Sequence, residues 1–462
     1  MPGSVSPTST THQVRPWERF ALGGLVVAVA AVMGFAALAR ENDPNQADAT
    51  VLGTESLASE HLDAIEVLLD RWSQAIRDGD EQEIDILVDP EADTAFRDAQ
   101  RDRARWAQPV PFREFEYELT DRSLNAAPAA LSDQYDGAQL WIPNVQLRYA
   151  LEGADEVPTR KSASLVVGQR GDTWTLISDE DAVAPAGAPT STWRGPWDHG
   201  PVHVKTVDTA GGTSMLIGHP GGESTVQSIA DELGAAVDHV SSVWGVEWPR
   251  RAVVVVTGTD AEFADLVGAD FVGDGHDSAS IAAVAVSDSP VHADGVVSGQ
   301  RIIFAPSADE RLDPQERRAV LRHELTHVAA RSETVDGSPM WMLEGYAEYV
   351  AYRDDPRSPR AIAPELATQV DGTQSGSQNR LTIPSDSDFA GESAAAAYKT
   401  SWLLALFVAD RYGEQELTEL YRALASGPHS DAEIDDKLRT VLGVGVDQLV
   451  AEWTSWAPTA LR

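Results

Sequence analysis

His323-Glu324-Leu325-Thr326-His327 places two histidines four residues apart, with a glutamate beside the first. On a helix, residues four apart share a face, so both imidazoles can reach one metal ion. Zinc takes His nitrogen at about 2.0–2.1 Å and, in catalytic sites, keeps one position for water. Glu324 stands where a carboxylate can take a proton from that water, which points to zinc-dependent hydrolysis. The helix also has a defined start. Asp313 is a good N-cap, Pro314 suits the first helical position, and Glu316 completes a capping-box pattern. Ala319 and Val320 adjoin the His323/His327 face, while Leu321, Leu325 and Val328 lie on other sides. A helix that is apolar on more than one side is expected to be buried between lobes.

Two histidines need a third protein ligand. A histidine six residues after His327 would make a metzincin, but that position is Glu333, and Ala330 stands where the turn glycine belongs. The stretch Pro339-Met340-Trp341-Met342-Leu343-Glu344-Gly345-Tyr346-Ala347-Glu348-Tyr349 offers a better candidate. Together with the upstream H-E-x-x-H it resembles the gluzincin metallopeptidases (peptidase MA-like), including their aminopeptidase-like branch, over roughly residues 200–460. In that family the second helix carries Trp-x-x-Glu-Gly-x-Ala and its Glu binds zinc. The resemblance therefore implies His323, His327 and Glu344 as ligands of one Zn²⁺ per chain, and Glu324 as general base. It also implies Glu348, one turn on, as a hydrogen-bond partner of zinc-bound His323. Tyr398 is the candidate donor to the oxyanion at the scissile carbonyl, with Tyr346 and Tyr349 as rivals. The aminopeptidase branch binds the substrate α-amine through Gly-x-Met-Glu-Asn, which this chain lacks, so endopeptidase action is expected. A strand, Ile281–Val286 or Ile302–Phe304, is expected to present its backbone to an extended substrate.

Composition narrows the alternatives. The chain has 462 residues, 42% of them hydrophobic, and a formal net charge of −38. Such acidity argues against nucleic acid as a partner, since phosphate binding needs a positive field. Lysine is scarce: only Lys161, Lys205, Lys399 and Lys437. There is no Cys, which removes disulfides, Cys zinc sites and thiol nucleophiles. Residues 20–39 form an uncharged stretch, about 30 Å long as a helix, with the more positive flank on its N-terminal side. It predicts a transmembrane signal anchor with residues 1–19 cytoplasmic and the catalytic domain extracytoplasmic at the cell membrane. The rival is secretion after cleavage near Ala39.

Residues 40–54 suit a linker. Leu62, Ile65, Leu69, Trp72 and Ile76 then repeat at helical spacing, and later segments alternate as strands: Phe115, Tyr117, Leu119; Val145, Leu147, Tyr149; Ala163, Leu165, Val167. This order over 55–183 resembles the NTF2-like α+β cone, a domain type that can enclose a pocket or serve as a spacer or a surface for protein contacts. Residues 184–200 are rich in Ala, Pro and Gly and read as a second linker. From 201 to 460 the pattern gives strands first and helices afterwards, a mixed-sheet lobe beside a helical lobe. The stretch 354–393 reads as a long loop or lid. The expected class is thus α+β, with an anchor helix, an NTF2-like domain and a zincin-like metallopeptidase domain acting on a peptide or protein. The alternatives are a non-catalytic zincin-fold scaffold and a small-molecule binder using the first domain.

Overall fold

Three helices open the described chain: α1 (Val51–Asp78), α2 (Glu81–Leu87) and α3 (Thr94–Ala107). The structure, a computed structural model, describes residues 51–135, 137–180, 192–268, 281–288, 296–373 and 381–462. The carboxylates of Asp80 and Asp93 cap α2 and α3, accepting bonds from backbone N–H groups that a helix start leaves unpaired. Five antiparallel strands follow: β1 (Phe112–Ala126), β2 (Gln139–Leu151), β3 (Thr159–Ala163), β4 (Val166–Arg170) and β5 (Thr173–Ser178). They are ordered β1-β2-β4-β5, with β3 also on β2. The apolar stripe of α1 lies on this sheet, where Trp72 stacks on Tyr117 with ring centroids 3.8 Å apart.

A second sheet has the order β6 (His203–Thr209), β7 (Gly212–Gly218), β8 (Val253–Val256), β10 (Arg301–Phe304), β9 (Ala283–Val286). β8 is parallel to both neighbours and reads Val253-Val254-Val255-Val256, all buried. Such a run is what a strand covered on both faces requires. One face carries Leu216, Val254, Val256, Ile302 and Phe304 into the core beneath the helices. The other turns Met215, Ile217, Val253, Val255 and Ile303 into a core shared with Phe115, Tyr149 and Trp197. Polar struts cross this second contact. Arg301 holds Asp155 through two bonds of 2.7 and 2.8 Å, and Lys161 pairs with Asp288 just beyond β9.

Among the described residues β9 is an edge strand and β10 lies inside the sheet, which separates the two strands the sequence could not distinguish. Ala282 accepts from Ala305 and Asp288 donates to Ser298. By the two-residue alternation of an antiparallel ladder, the backbone groups of Ala283, Ala285 and Ser287 therefore face outward.

The helical part comprises α4 (Glu223–Trp244), α5 (Asp260–Val267), α6 (Pro314–Ala330), α7 (Met340–Tyr352), α8 (Pro364–Thr373), α9 (Ala394–Arg411), α10 (Glu414–Leu424), α11 (Asp431–Leu442) and α12 (Val446–Ala460). The expected loop at 354–393 thus contains a helix, α8, and 3-10 turns at Asp386–Phe389 and Gly391–Ser393, with 374–380 outside the described residues.

The class is α+β, but the single-pass membrane arrangement is corrected. Among the described residues no helix is long and apolar enough to cross a membrane. The stretch 20–39 that suggested an anchor lies outside the described residues. The membrane partner and the extracytoplasmic placement derived from that anchor fall with it.

Candidate metal centre

Helix α6 starts as its sequence dictates. The Asp313 carboxylate accepts from the N–H groups of Gln315 and Glu316, and Glu316 accepts from the Asp313 N–H. From Ala319 to Ala330 most of its residues are buried, as its two-sided apolar pattern requires. It packs between α4, α7 and β9. Helix α7 is buried from Trp341 to Ala351. At Gly345 a methyl group would sit 2.7 Å from the carbonyl oxygen of Ser401. Glycine beside Glu344 is what lets α9 lie directly against α7.

This packing brings His323, His327 and Glu344 together, with one ligand atom from each inside a 4.8 Å circle. The His323 Nε2 to His327 Nε2 distance is 3.0 Å. Glu344 Oε2 lies 3.2 Å from His323 Nε2 and 3.6 Å from His327 Nε2. Ligand atoms about 2.0–2.1 Å from a tetrahedral zinc stand about 3.3–3.4 Å from one another, so the three separations bracket the required edge. Among the described residues, both carboxylate oxygens of Glu344, both of Glu324 and Nδ1 of His323 are buried without a hydrogen-bond partner. The His–Glu contacts are close enough for attraction without being hydrogen bonds. Orphaned buried atoms of this kind are costly unless another group satisfies them.

Charge leads to the same conclusion. Glu324, Glu344 and Glu348 are at most 1% exposed, and the one ammonium among them is Lys399, 2.7 Å from Glu348 Oε2. Three buried carboxylates beside one ammonium concentrate negative charge that protonation or a counter-charge must relieve. A divalent cation suits such a cluster and its donor set of two imidazoles and a carboxylate.

The titration behaviour follows from burial and neighbours. Burial pushes Glu324 up to about 8, with the Glu344 charge adding to the effect and His323 opposing it. The backbone of Ala285 on β9 acts against this rise. Burial works against the charge on Glu344 too, but the imidazoles of His327 and His323 outweigh it and hold that carboxyl below its ordinary range. Burial lowers His327. His323 is raised despite burial, by Glu344, Glu324 and Glu348.

The remaining candidates divide. Glu348 Oε1 lies 3.7 Å from His323 Nδ1, near but beyond hydrogen-bond reach. Its other oxygen is held by Lys399, which also donates to Tyr352 Oη at 3.2 Å and sits 4.4 Å from the Tyr352 ring centroid. Tyr398 is buried, with its ring 6.4 Å from that of His323 and edge-on to Phe389. The rivals face elsewhere: Tyr346 pairs with Thr418, and Tyr349 donates to Glu414. Sequence reasoning missed Lys399 as the partner of Glu348. The available signal was a rare lysine directly beside Tyr398.

A family model described as the eCIS core domain matches residues 257–335, a segment that contains β9, β10 and α6 with His323, Glu324 and His327. No curated protein matches the chain by sequence. Among solved structures, an M1 zinc metallopeptidase from Deinococcus radiodurans is similar at 14% identity and a TM-score of 0.31, over 75% of this chain and 70% of that one. A variant from the same organism bound to a Tyr-Ser-Ala substrate gives 15% and 0.31, over 75% and 71%. A two-domain M1 zinc metallopeptidase variant bound to L-arginine gives 15% and 0.32, over 75% and 71%.

Proposed function

We propose that this chain is a zinc-dependent peptidase of the gluzincin kind, with His323, His327 and Glu344 holding the metal. The observation that carries the proposal is the triangle of 3.0, 3.2 and 3.6 Å between their facing atoms. Zinc bound there would polarise a substrate carbonyl and acidify a water molecule. Glu324, buried and adjacent, takes the proton from the attacking water and returns it to the leaving amine. Tyr398 donates a hydrogen bond to the oxyanion that forms on the scissile carbonyl. Glu348, fixed by Lys399 and 3.7 Å from His323 Nδ1, supplies a negative charge beside that imidazole without a hydrogen bond to it. The outward backbone groups of Ala283, Ala285 and Ser287 pair with an extended substrate as an added strand. β9 reads Ala283-Val284-Ala285-Val286 and offers no carboxylate to anchor an α-amine, which supports cleavage within a chain rather than at its N-terminus.

The test is competition for zinc between a calibrated chelator and the wild type, His323→Ala and Glu344→Gln, with digestion of a peptide mixture by the same samples. The proposal expects about one tightly held zinc per wild-type chain, weakened at least tenfold in both variants, and zinc-dependent cleavage by the wild type alone. Equal zinc affinity in all three would remove the ligand assignment. Zinc without cleavage would leave a zincin-fold scaffold.

A further inference from the structure

A cavity of about 370 Å³ opens beside His327. Its walls come from separate elements: Val286 on β9, Val328 on α6, Val335 between α6 and α7, and Met340 and Leu343 on α7. The polar groups of the wall are already engaged with one another. Arg331 donates to Ser287 Oγ at 2.9 Å and to the Thr334 carbonyl at 2.8 Å, and pairs with Asp336 at 3.0 Å. The hydroxyls of Thr334 and Tyr421 meet at 2.9 Å, and Asp386 accepts from the Met340 N–H. A charged side chain entering here would shed its water and find partners already taken, whereas an apolar one would lose nothing. Val335 is 49% exposed, a rare large apolar side chain left open to solvent among the described residues, and it stands on this cavity.

We propose that this cavity is the specificity subsite and that it takes a large apolar side chain, of the Leu, Met or Phe class, from a residue flanking the scissile bond. The inference rests on the peptidase reading and deepens it. Position supplies the link: the outward groups of β9 end at Ser287 on the cavity wall, and His327 forms another part of the same wall. A peptide added along β9 with its carbonyl at the metal centre would therefore run toward the cavity mouth. Each extra methylene in such a pocket changes kcat/KM by about 10- to 200-fold, so the cavity would dominate selectivity.

The test uses the zinc-loaded full chain. Wild type should enrich cleavage of a peptide library at sites with Leu, Met or Phe at one flanking position. Val335→Trp, which fills the cavity, should lower kcat/KM for those peptides by about 10- to 100-fold. It should leave zinc content unchanged and cleavage beside Ala within a few-fold of wild type. Met340→Ala, which enlarges the cavity, should move preference toward bulkier residues. In the Glu324→Gln background, affinity for a Leu-containing peptide should fall in the Val335→Trp form, a readout that needs no turnover. Wild-type cleavage without apolar preference, or preference and affinity that both variants leave unchanged, overturns the subsite. Absence of zinc-dependent cleavage by wild type overturns the peptidase reading and the subsite together.

Discussion

Replacing Glu324 by Gln should stabilise the metal-free protein while abolishing hydrolysis. The Glu324 carboxyl is fully buried, has no hydrogen-bond partner among the described residues, and is held at about 8 instead of its ordinary 4.5. A carboxyl raised on folding contributes stability that is complete below its unfolded value and is lost as pH rises through the folded one. Between pH 4.5 and about 8 the loss accumulates at about 1.4 kcal/mol per pH unit, on the order of 4 kcal/mol by pH 8. Gln keeps the shape and removes the titration. Urea unfolding of chelator-treated wild type and Glu324→Gln should therefore nearly coincide at pH 5 and separate by several kcal/mol at pH 8, with Gln the more stable. Zinc should bind both forms, because Glu324 is not among the proposed ligands. A gap that fails to widen with pH, or a Gln form less stable at pH 8, would refute the burial argument.

Other consequences concern the helices around the site. Lys399→Met strips the carboxylate of Glu348 of its ammonium partner and should cost about 3–5 kcal/mol, read by denaturant unfolding. Adding Glu348→Met should recover most of that loss without restoring turnover, and a double variant no more stable than the single one would contradict the pairing. Gly345→Ala drives a methyl onto the Ser401 carbonyl, at a cost of roughly 1–3 kcal/mol. Because Tyr398 and Lys399 ride on the displaced α9, its cleavage rate should fall further than its zinc content. Asp155→Asn leaves the guanidinium of Arg301 without its carboxylate beneath the sheet, and should lower thermal stability by about 3 kcal/mol while zinc binding persists.

Much of the metal centre could be read locally. H-E-x-x-H places two of the proposed ligands on one helix face by periodicity alone, the Asp313-Pro314 start fixes the helix that carries them, and Glu344 followed by Gly345 marks the second helix. What escaped the sequence depends on long-range packing. Lys399 meets Glu348 only because α9 crosses α7 at Gly345, and nothing near residue 399 encodes that crossing. The choice of β9 over β10 as the edge strand required the sheet order, since both are short apolar runs. Residues 354–393 looked like a loop because Pro, Ser and Asp are frequent there, yet Pro359 and Pro364 open helical turns, where proline is tolerated. The apolar stretch at 20–39 was judged by length and hydropathy, and the described structure contains no helix that crosses a membrane.

The central claim is that Glu324 acts as the base at a metal centre held by His323, His327 and Glu344. The most direct measurement is the initial rate of peptide cleavage by wild type and Glu324→Gln, at equal zinc occupancy and with chelated controls. The account predicts zinc-dependent cleavage by wild type and a loss of at least a hundredfold in the Gln form, with zinc still bound. Equal rates in the two proteins, or cleavage that survives removal of zinc, would contradict it.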